Sequence, residues 1–65
     1  MKNGHPTFGS QWRHHSGRFY TVLGIANIEN QDINYPPMII YVGKNGNLWT
    51  KFISNFYATM KEIKA

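Results

Sequence analysis

A hairpin pattern in the middle of the chain restricts the fold more than any other feature of the sequence. Residues 38–52 read MIIYVGKNGNLWTKF, with β-branched and aromatic runs on either side of the turn sequence KNG. A three-residue loop with Gly46 in the left-handed conformation places Tyr41 opposite Trp49. A two-residue Asn-Gly turn instead places Val42 opposite that tryptophan. We favour the three-residue loop, because it separates apolar side chains from aromatic and charged ones.

In the favoured register the two faces of this hairpin differ chemically. One face is mostly apolar and carries Met38, Ile40, Val42, Leu48, Thr50 and Phe52. The other face carries Ile39, Tyr41, Trp49 and Lys51. Because rings stack on flat molecules and an ammonium group pairs with phosphate, this second face predicts a site for a flat anionic ligand. The alternatives are a second small core, with the lysine stem lying over the tryptophan, and a dimer interface.

The sequence before this hairpin predicts another one. The segments SQWRHH and RFYTVLGIANI are typical of strands and flank a Ser16-Gly17 turn. The longer strand is apolar on both faces, so we expect it to be central in the sheet. Gly24 in its middle predicts a bend, a bulge or the close approach of another backbone. The polar segment ENQDINYPP then predicts a loop, since its prolines resist both helix and central strand.

The C-terminal sequence predicts one amphipathic helix over residues 53–64. Four apolar side chains recur there at helical spacing: Ile53, Phe56, Met60 and Ile63. Ser54 can cap the start of this helix, and Lys61 and Lys64 lie near its negative end. We expect the apolar stripe to cover the core or to contact a second chain.

Together these elements predict a mostly β fold with one C-terminal α-helix, in a single small domain over residues 1–65. We assign residues 1–9 to an N-terminal tail, 10–52 to a β-meander and 53–64 to the helix. The four strands form a curved antiparallel meander, SH3-like or a partial barrel, with the helix closing one end. An open sheet covered on one face by the helix is the alternative.

A chain of this length has a marginal core. Its 65 residues bury only about 60% of the surface that the unfolded form exposes. The sequence contains no cysteine, which excludes disulfides and thiolate metal sites as staples. Self-association is the substitute, so we predict a homo-oligomer.

The charge distribution predicts anionic partners. The formal net charge is +4, and the carboxylate side chains are Glu29, Asp32 and Glu62. Residues 1–28 and 33–61 therefore carry lysine and arginine but no aspartate or glutamate. Such a positive body attracts nucleotides, nucleic acid or other anions. A merely solubilising surface charge is the alternative.

The sequence carries no sign of membrane insertion or export. No stretch approaches the roughly 18 apolar residues of a membrane span, and the N-terminal sequence lacks the apolar stretch of a signal peptide. We therefore expect a cytoplasmic protein with no membrane partner.

Groups suited to catalysis are scarce in this sequence. The best candidates, His14 and His15, are adjacent in a predicted strand, which sends them to opposite faces and prevents joint metal ligation. Neither histidine has a carboxylate near it in sequence. No phosphate-binding glycine loop or dinucleotide fingerprint occurs. We predict no enzymatic activity, no cofactor and no metal site.

Three motifs resemble those of a small bacterial and phage domain family of unknown function. That family has an aromatic-Arg-His triplet before a glycine turn, a Y-x-V-L-G-x-A strand, and a V-V-Y strand leading to L-W-x-R-P. The matching residues, within positions 9–57, are Trp12, Arg13, His14, Tyr20, Val22, Leu23, Gly24, Ala26, Tyr41, Leu48 and Trp49. Lys51 and Phe52 stand where the family has Arg and Pro, with Ile53 following, and Trp12 replaces a tyrosine. The resemblance implies a compact β-rich fold and a bacterial or phage source, and it supplies no activity.

Both function hypotheses are binding roles. The first is a non-enzymatic protein for a small anionic ligand, of the nucleotide or cyclic nucleotide messenger class. In a phage it would act in anti-defence, as a sponge in the host cytoplasm that sequesters an immune signal by mass action. Its predicted ligand-binding residues are Trp12, Arg13, His14, Arg18, Tyr20, Tyr41, Trp49 and Lys51. The second hypothesis is an SH3-like module that binds single-stranded nucleic acid or a host protein.

Overall fold

The computed structural model describes residues 6–27 and 34–63, which form an antiparallel sheet and a short helix. In chain order the elements are β1 (Gln11–His14), β2 (Phe19–Ala26), β3 (Met38–Gly43), β4 (Leu48–Phe52), α1 (Ile53–Thr59) and β5 (Met60–Ile63). The order across the sheet is β4-β3-β2-β1-β5, so a four-stranded meander gains β5 at its β1 edge. The mostly β fold with a C-terminal helix is confirmed, as an open curved sheet with five strands rather than four.

The β3–β4 hairpin has the three-residue loop that the sequence favours. Tyr41 pairs with Trp49 across the two strands. Gly46 has a φ of 87°, and the N–H of Gly43 donates to the carbonyl of Asn47 at 3.1 Å. Because glycine adopts a positive φ without steric cost, Gly46 sets the register that the pattern of the strands also favours.

A bulge in β2 keeps both Val22 and Ile25 on the core side of the sheet. Val22 pairs with Tyr41, and the register then shifts before Ile25 pairs with Ile39. Since side chains alternate along a strand, Val22 and Ile25 would face opposite sides without the extra residue. The predicted bulge is confirmed. A Cβ added at Gly24 would meet no atom within 4 Å, so the alternative of a closely approaching backbone is wrong.

The segment before β1 is held against the sheet. The N–H of Gly9 donates to the Val22 carbonyl at 2.7 Å, and the N–H of Val22 donates to the Ser10 carbonyl at 2.9 Å. The hydroxyl of Ser10 accepts a bond from the Trp12 indole at 2.9 Å. The predicted tail over residues 1–9 is therefore too long at its C-terminal end. Residues 1–5 lie outside the described part of the chain.

The connection between β2 and β3 is described at its two ends. Asn27 has a φ of 62°, and its side-chain amide donates to the Pro36 carbonyl at 3.3 Å. This bond ties the two ends of the predicted loop together. Glu29 and Asp32, two of the three carboxylates in the sequence, lie outside the described residues.

The helix is shorter than predicted and ends where β5 begins. Met60 follows α1 with extended dihedral angles, φ -125° and ψ 149°. Residues 60–63 then pair with β1. The predicted helix over 53–64 is therefore wrong from residue 60 onward. The edge of β1 offers backbone hydrogen bonds to these residues, and these bonds outweigh their helix propensity. The predicted Ser54 cap is also wrong, since none of the described side chains caps α1. No described helix is long and apolar enough to cross a bilayer.

The core lies between the sheet and α1. Its buried side chains are Trp12, Val22, Ile39, Tyr41, Phe56 and Met60. Phe56 extends from the helix and contacts Trp12 and Tyr41 edge-on, with ring centroids 4.9 and 5.5 Å away. The helix therefore covers the hairpin face that carries Ile39 and Tyr41. The mostly apolar face of the same hairpin lies on the other side of the sheet.

Candidate functional site

The turns of the two hairpins meet at one end of the sheet and form a pocket. It has a volume of about 480 Å³ and is lined by Gly17, Arg18, Phe19, Tyr20, Gly43, Lys44, Asn45 and Trp49. Three of these side chains are aromatic, two are cationic and none is a carboxylate. This composition suits a flat anion, since rings provide stacking surfaces and cations neutralise negative charge.

Tyr20 is held in this pocket by its packing. It pairs with Gly43 on β3, and a Cβ at that glycine would come within 3.1 Å of Cε1 of Tyr20. The tyrosine ring therefore lies against the backbone of β3. Tyr20 also contacts Tyr41 edge-on, with ring centroids 5.1 Å apart. Burial has the larger effect and the neighbouring Tyr20 the smaller one in raising the pKa of the Tyr41 phenol. Tyr41 therefore stays neutral and positions the ring of Tyr20 by packing against it.

Trp49 offers an accessible ring to the pocket. It pairs with the buried Tyr41, yet 49% of its surface is exposed. The reason is that β4 is an edge strand of the sheet. An exposed ring on a rigid strand loses little freedom when a flat molecule stacks on it, so Trp49 is the natural stacking surface of the pocket.

The two cations of the pocket stand on hydrogen-bonded turns. Arg18 follows the first turn, which Gly17 closes with a φ of 97°. Lys44 belongs to the second turn, in which Oδ1 of Asn45 accepts the N–H of Asn47 at 3.3 Å. Both cations are exposed. An anion in the pocket can therefore be reached by one guanidinium and one ammonium group from separate turns.

Three of the eight predicted ligand-binding residues line this pocket, namely Arg18, Tyr20 and Trp49. Two others, Trp12 and Tyr41, are core residues with 5% and 4% of their surface exposed. Phe56 packs against both of them from the helix. Neither ring presents a face to solvent, so their contribution is to the scaffold of the pocket.

The other three predicted residues, Arg13, His14 and Lys51, lie outside this pocket. Nζ of Lys51 donates to Oγ1 of Thr59 at 2.9 Å. This bond holds the ammonium group at the C-terminal end of α1, where positive charge is favourable. Arg13 and His14 line a second pocket.

The second pocket lies between β1 and the end of α1. It has a volume of about 340 Å³ and is lined by Arg13, His14, His15, Tyr57, Ala58, Thr59, Met60 and Lys61. Arg13 and Lys61 are directly opposite each other on β1 and β5, a position in which like charges repel. Burial, and then Glu62, raise the pKa of Tyr57. With one large aromatic side chain, Tyr57, in place of three, this pocket is the weaker candidate.

His14 and His15 stack on each other instead of facing opposite sides of a strand. Because β1 ends at His14, His15 lies in the turn, and the two ring centroids are 4.0 Å apart. The prediction of opposite faces is wrong, since it required the strand to continue. Among the residues that the structure describes, no group of three or more metal-ligating side chains comes together.

The pKa of His14 is lowered from its ordinary value. Partial burial has the largest effect, followed by the positive charges of His15, Lys51 and Arg18. The N–H of Ser16 donates to Nδ1 of His14 at 3.1 Å, so we assign the proton of the neutral ring to Nε2. Protonation at Nδ1 would remove this bond from the turn that precedes Arg18.

Acid should therefore destabilise the fold through His14. The unfolded chain titrates near 6.5 and the folded chain below it, so the unfolded state binds more protons just below pH 6.5. We expect the free energy of unfolding of the wild type minus that of His14→Gln to be constant above that pH and to decrease below it. Urea unfolding from about pH 8 to pH 5 measures this difference. A difference that does not change with pH would contradict the lowered pKa of His14.

Phe19, Lys44 and Asn45 line the pocket but are not among the residues predicted from the sequence. The predicted site combines rings and cations of both hairpins around the face that carries Tyr41 and Trp49, whereas the pocket lies at the end of the sheet. A signal was present, since both turn sequences, SGR and GKNG, carry a cation beside a glycine. In a meander such alternate turns lie at the same end of the sheet.

Comparison with known proteins identifies no relative. No family model, curated protein or solved structure matches this chain. The family resemblance of the sequence motifs stays a prediction, and function has to be inferred from the pocket itself.

Proposed function

We propose that this protein binds a flat anionic small molecule, of the nucleotide or cyclic nucleotide class, in the pocket at the hairpin turns and catalyses no reaction on it. One observation carries the proposal: a pocket of about 480 Å³ combines three rings and two cations, with no carboxylate among its described lining residues. Pockets for small molecules have volumes of about 300 to 1,000 Å³, so this one is within the range of an ordinary small-molecule site.

Each group in the pocket has a distinct role in this proposal. Trp49 stacks on the base, while Arg18 and Lys44 meet the phosphate. Arginine offers a planar fork of donors that can bind two phosphate oxygens at once, whereas lysine acts as a point charge. Tyr20, fixed against Gly43, limits the pocket on the side of the sheet.

Sequestration is the biological role that we propose for such a binder. A small protein that holds a ligand without converting it removes that ligand by mass action. If the chain comes from a phage, one of the two sources that the resemblance implies, the ligand is a nucleotide immune messenger and the protein acts in the host cytoplasm. The size of the chain, its basic charge and the scarcity of catalytic groups support this role.

Binding of single-stranded nucleic acid is a second candidate function. The observation that favours it is a second set of cations beyond the first pocket, since Arg13 and Lys61 line the second one. A single strand could follow these cations with its phosphates and stack bases on exposed rings. Such binding depends steeply on salt, whereas a single nucleotide in a pocket neutralises few charges and depends on salt much less.

A thermal-unfolding panel at moderate salt tests the proposal. Mono-, di- and cyclic nucleotides are compared with short single-stranded oligonucleotides and with a polyanion as control. A ligand at 100 times its dissociation constant adds about 2.7 kcal/mol to the free energy of unfolding, which should raise the Tm of so small a domain by about 10 to 20 °C. We expect a shift of this size with one class of nucleotide.

The other outcomes of the panel separate the alternatives. Shifts with oligonucleotide and polyanion alone, disappearing in added salt, would replace the proposal with nucleic-acid binding. If no compound shifted the Tm, the proposal would be wrong and a host protein would become the partner to search for.

A further inference from the structure

The side of the sheet away from α1, here called the outer face, is largely apolar. The strand registers place one row of residues across all five strands: Leu48, Val42, Thr21, Gln11 and Ile63. Further positions of the outer face are Phe19 on β2, Ile40 and Met38 on β3, and Thr50 and Phe52 on β4. A sheet face of this composition usually packs against another layer.

Large side chains on the outer face are exposed to water. Leu48 and Phe19 have 64% and 57% of their surface exposed, and Phe52 and Ile63 have 45% and 41%. A large side chain has a total accessible surface of about 200 Å². At these exposed fractions, the four side chains together leave on the order of 400 Å² of apolar surface in water. The largest apolar patch on a typical monomer is about 300 to 600 Å², and such a patch is often functional.

We propose that the outer face is the interface of a homodimer in which two sheets pack face to face. The molecule is flattened, with extents of 33 × 29 × 19 Å, so one broad face can supply the roughly 800 Å² per partner of a standard interface. Because α1 covers the other side of each sheet, a symmetric pair uses both outer faces and closes at two copies. The dimer adds a second apolar layer to a chain whose own core is small.

The charges of the outer face fit a symmetric pair. Among the described residues of this face, Arg13 and Lys61 are the charged ones, and they lie side by side at one corner, next to Phe19. Aligned sheets place the twofold axis nearly parallel or nearly perpendicular to the strands. Either axis carries this corner onto a different corner of the partner. The cations of the two copies therefore stay apart at the rim, and the centre of the interface is uncharged.

Sedimentation equilibrium over micromolar to millimolar concentrations tests the dimer. We expect the wild type to have the mass of two chains and the substitution Leu48→Lys to shift it to the mass of one. Each substitution occurs twice in a symmetric dimer, so the dissociation constant should rise by about 100-fold or more. Asn55→Lys adds the same charge at an exposed position of α1 and should leave the dimer intact.

Further measurements keep the test decisive. Phe52→Lys places the charge at the other end of β4 and should also give a monomer, while far-UV circular dichroism checks that each variant is folded. A wild type that is monomeric throughout would overturn the proposal, as would a dimer that survives both lysine substitutions. No ligand enters this test, so its failure would leave the proposed pocket function standing.

Discussion

Replacing Phe56 with alanine should lower the free energy of unfolding by about 3 to 5 kcal/mol. Phe56 is fully buried and contacts Trp12 and Tyr41 at centroid distances of 4.9 and 5.5 Å. The substitution removes a ring from the centre of the core and leaves a cavity that α1 cannot fill. A single core in so small a domain rarely supplies more than about 3 to 5 kcal/mol. The variant should therefore be largely unfolded at room temperature.

Urea unfolding followed by near-UV circular dichroism measures this effect. Phe8→Ala is the matched control, because Phe8 is 78% exposed and its replacement should change stability by less than about 0.5 kcal/mol. If Phe56→Ala unfolded at the same urea concentration as this control, the helix would not be docked on the aromatic face of the sheet.

Which face of the sheet the helix covers could not be predicted from the strand pattern. The pattern and the Gly46 turn determine which residues share a face, and that grouping is confirmed. Both faces of the β3–β4 hairpin contain large apolar side chains, however, so alternation alone does not choose between them. The choice depends on Trp12 and Phe56, whose rings pack with Tyr41 although they are distant from it in sequence.

The end of the helix was missed for a related reason. Phe56 and Met60 follow the helical spacing, and both are buried. The residues after Met60 also alternate, with Lys61 and Ile63 on the outer face and Glu62 on the other, which is compatible with a strand. Pairing with the edge of β1 decides between helix and strand for these residues. Because β1 is far away in the sequence, the residues around position 61 do not by themselves indicate this pairing.

The pocket was only partly predictable from the sequence. Arg18, Tyr20 and Trp49 were found because a cation and rings are the residue types that an anion site needs. Lys44 could have been found from the topology of the meander, which brings the two turns together. The burial of Tyr41 could not have been predicted from the sequence, because it follows from the position of the helix.

Replacing Trp49 with alanine should weaken binding of the nucleotide that gives the largest thermal shift by about 5- to 150-fold. This range corresponds to the roughly 1 to 3 kcal/mol that one base–ring stack contributes. Trp49 is half exposed on an edge strand, so its loss should leave the fold intact, whereas the buried Tyr41 next to it cannot be removed without damaging the core. Isothermal titration calorimetry measures the change in affinity.

Tyr35→Ala is the control for this substitution. Tyr35 is 55% exposed and belongs to the connection between β2 and β3, at the end of the sheet opposite to the pocket, so its removal should leave the affinity unchanged. Equal affinities for the wild type and Trp49→Ala would mean that the ligand does not stack in this pocket. If adding Lys44→Gln weakened binding further, while the Tm without ligand stayed constant, the ring and the ammonium group would both contribute to binding of the same ligand. That combination distinguishes a nucleotide site from a basic surface, because a basic surface needs the lysine but not the ring.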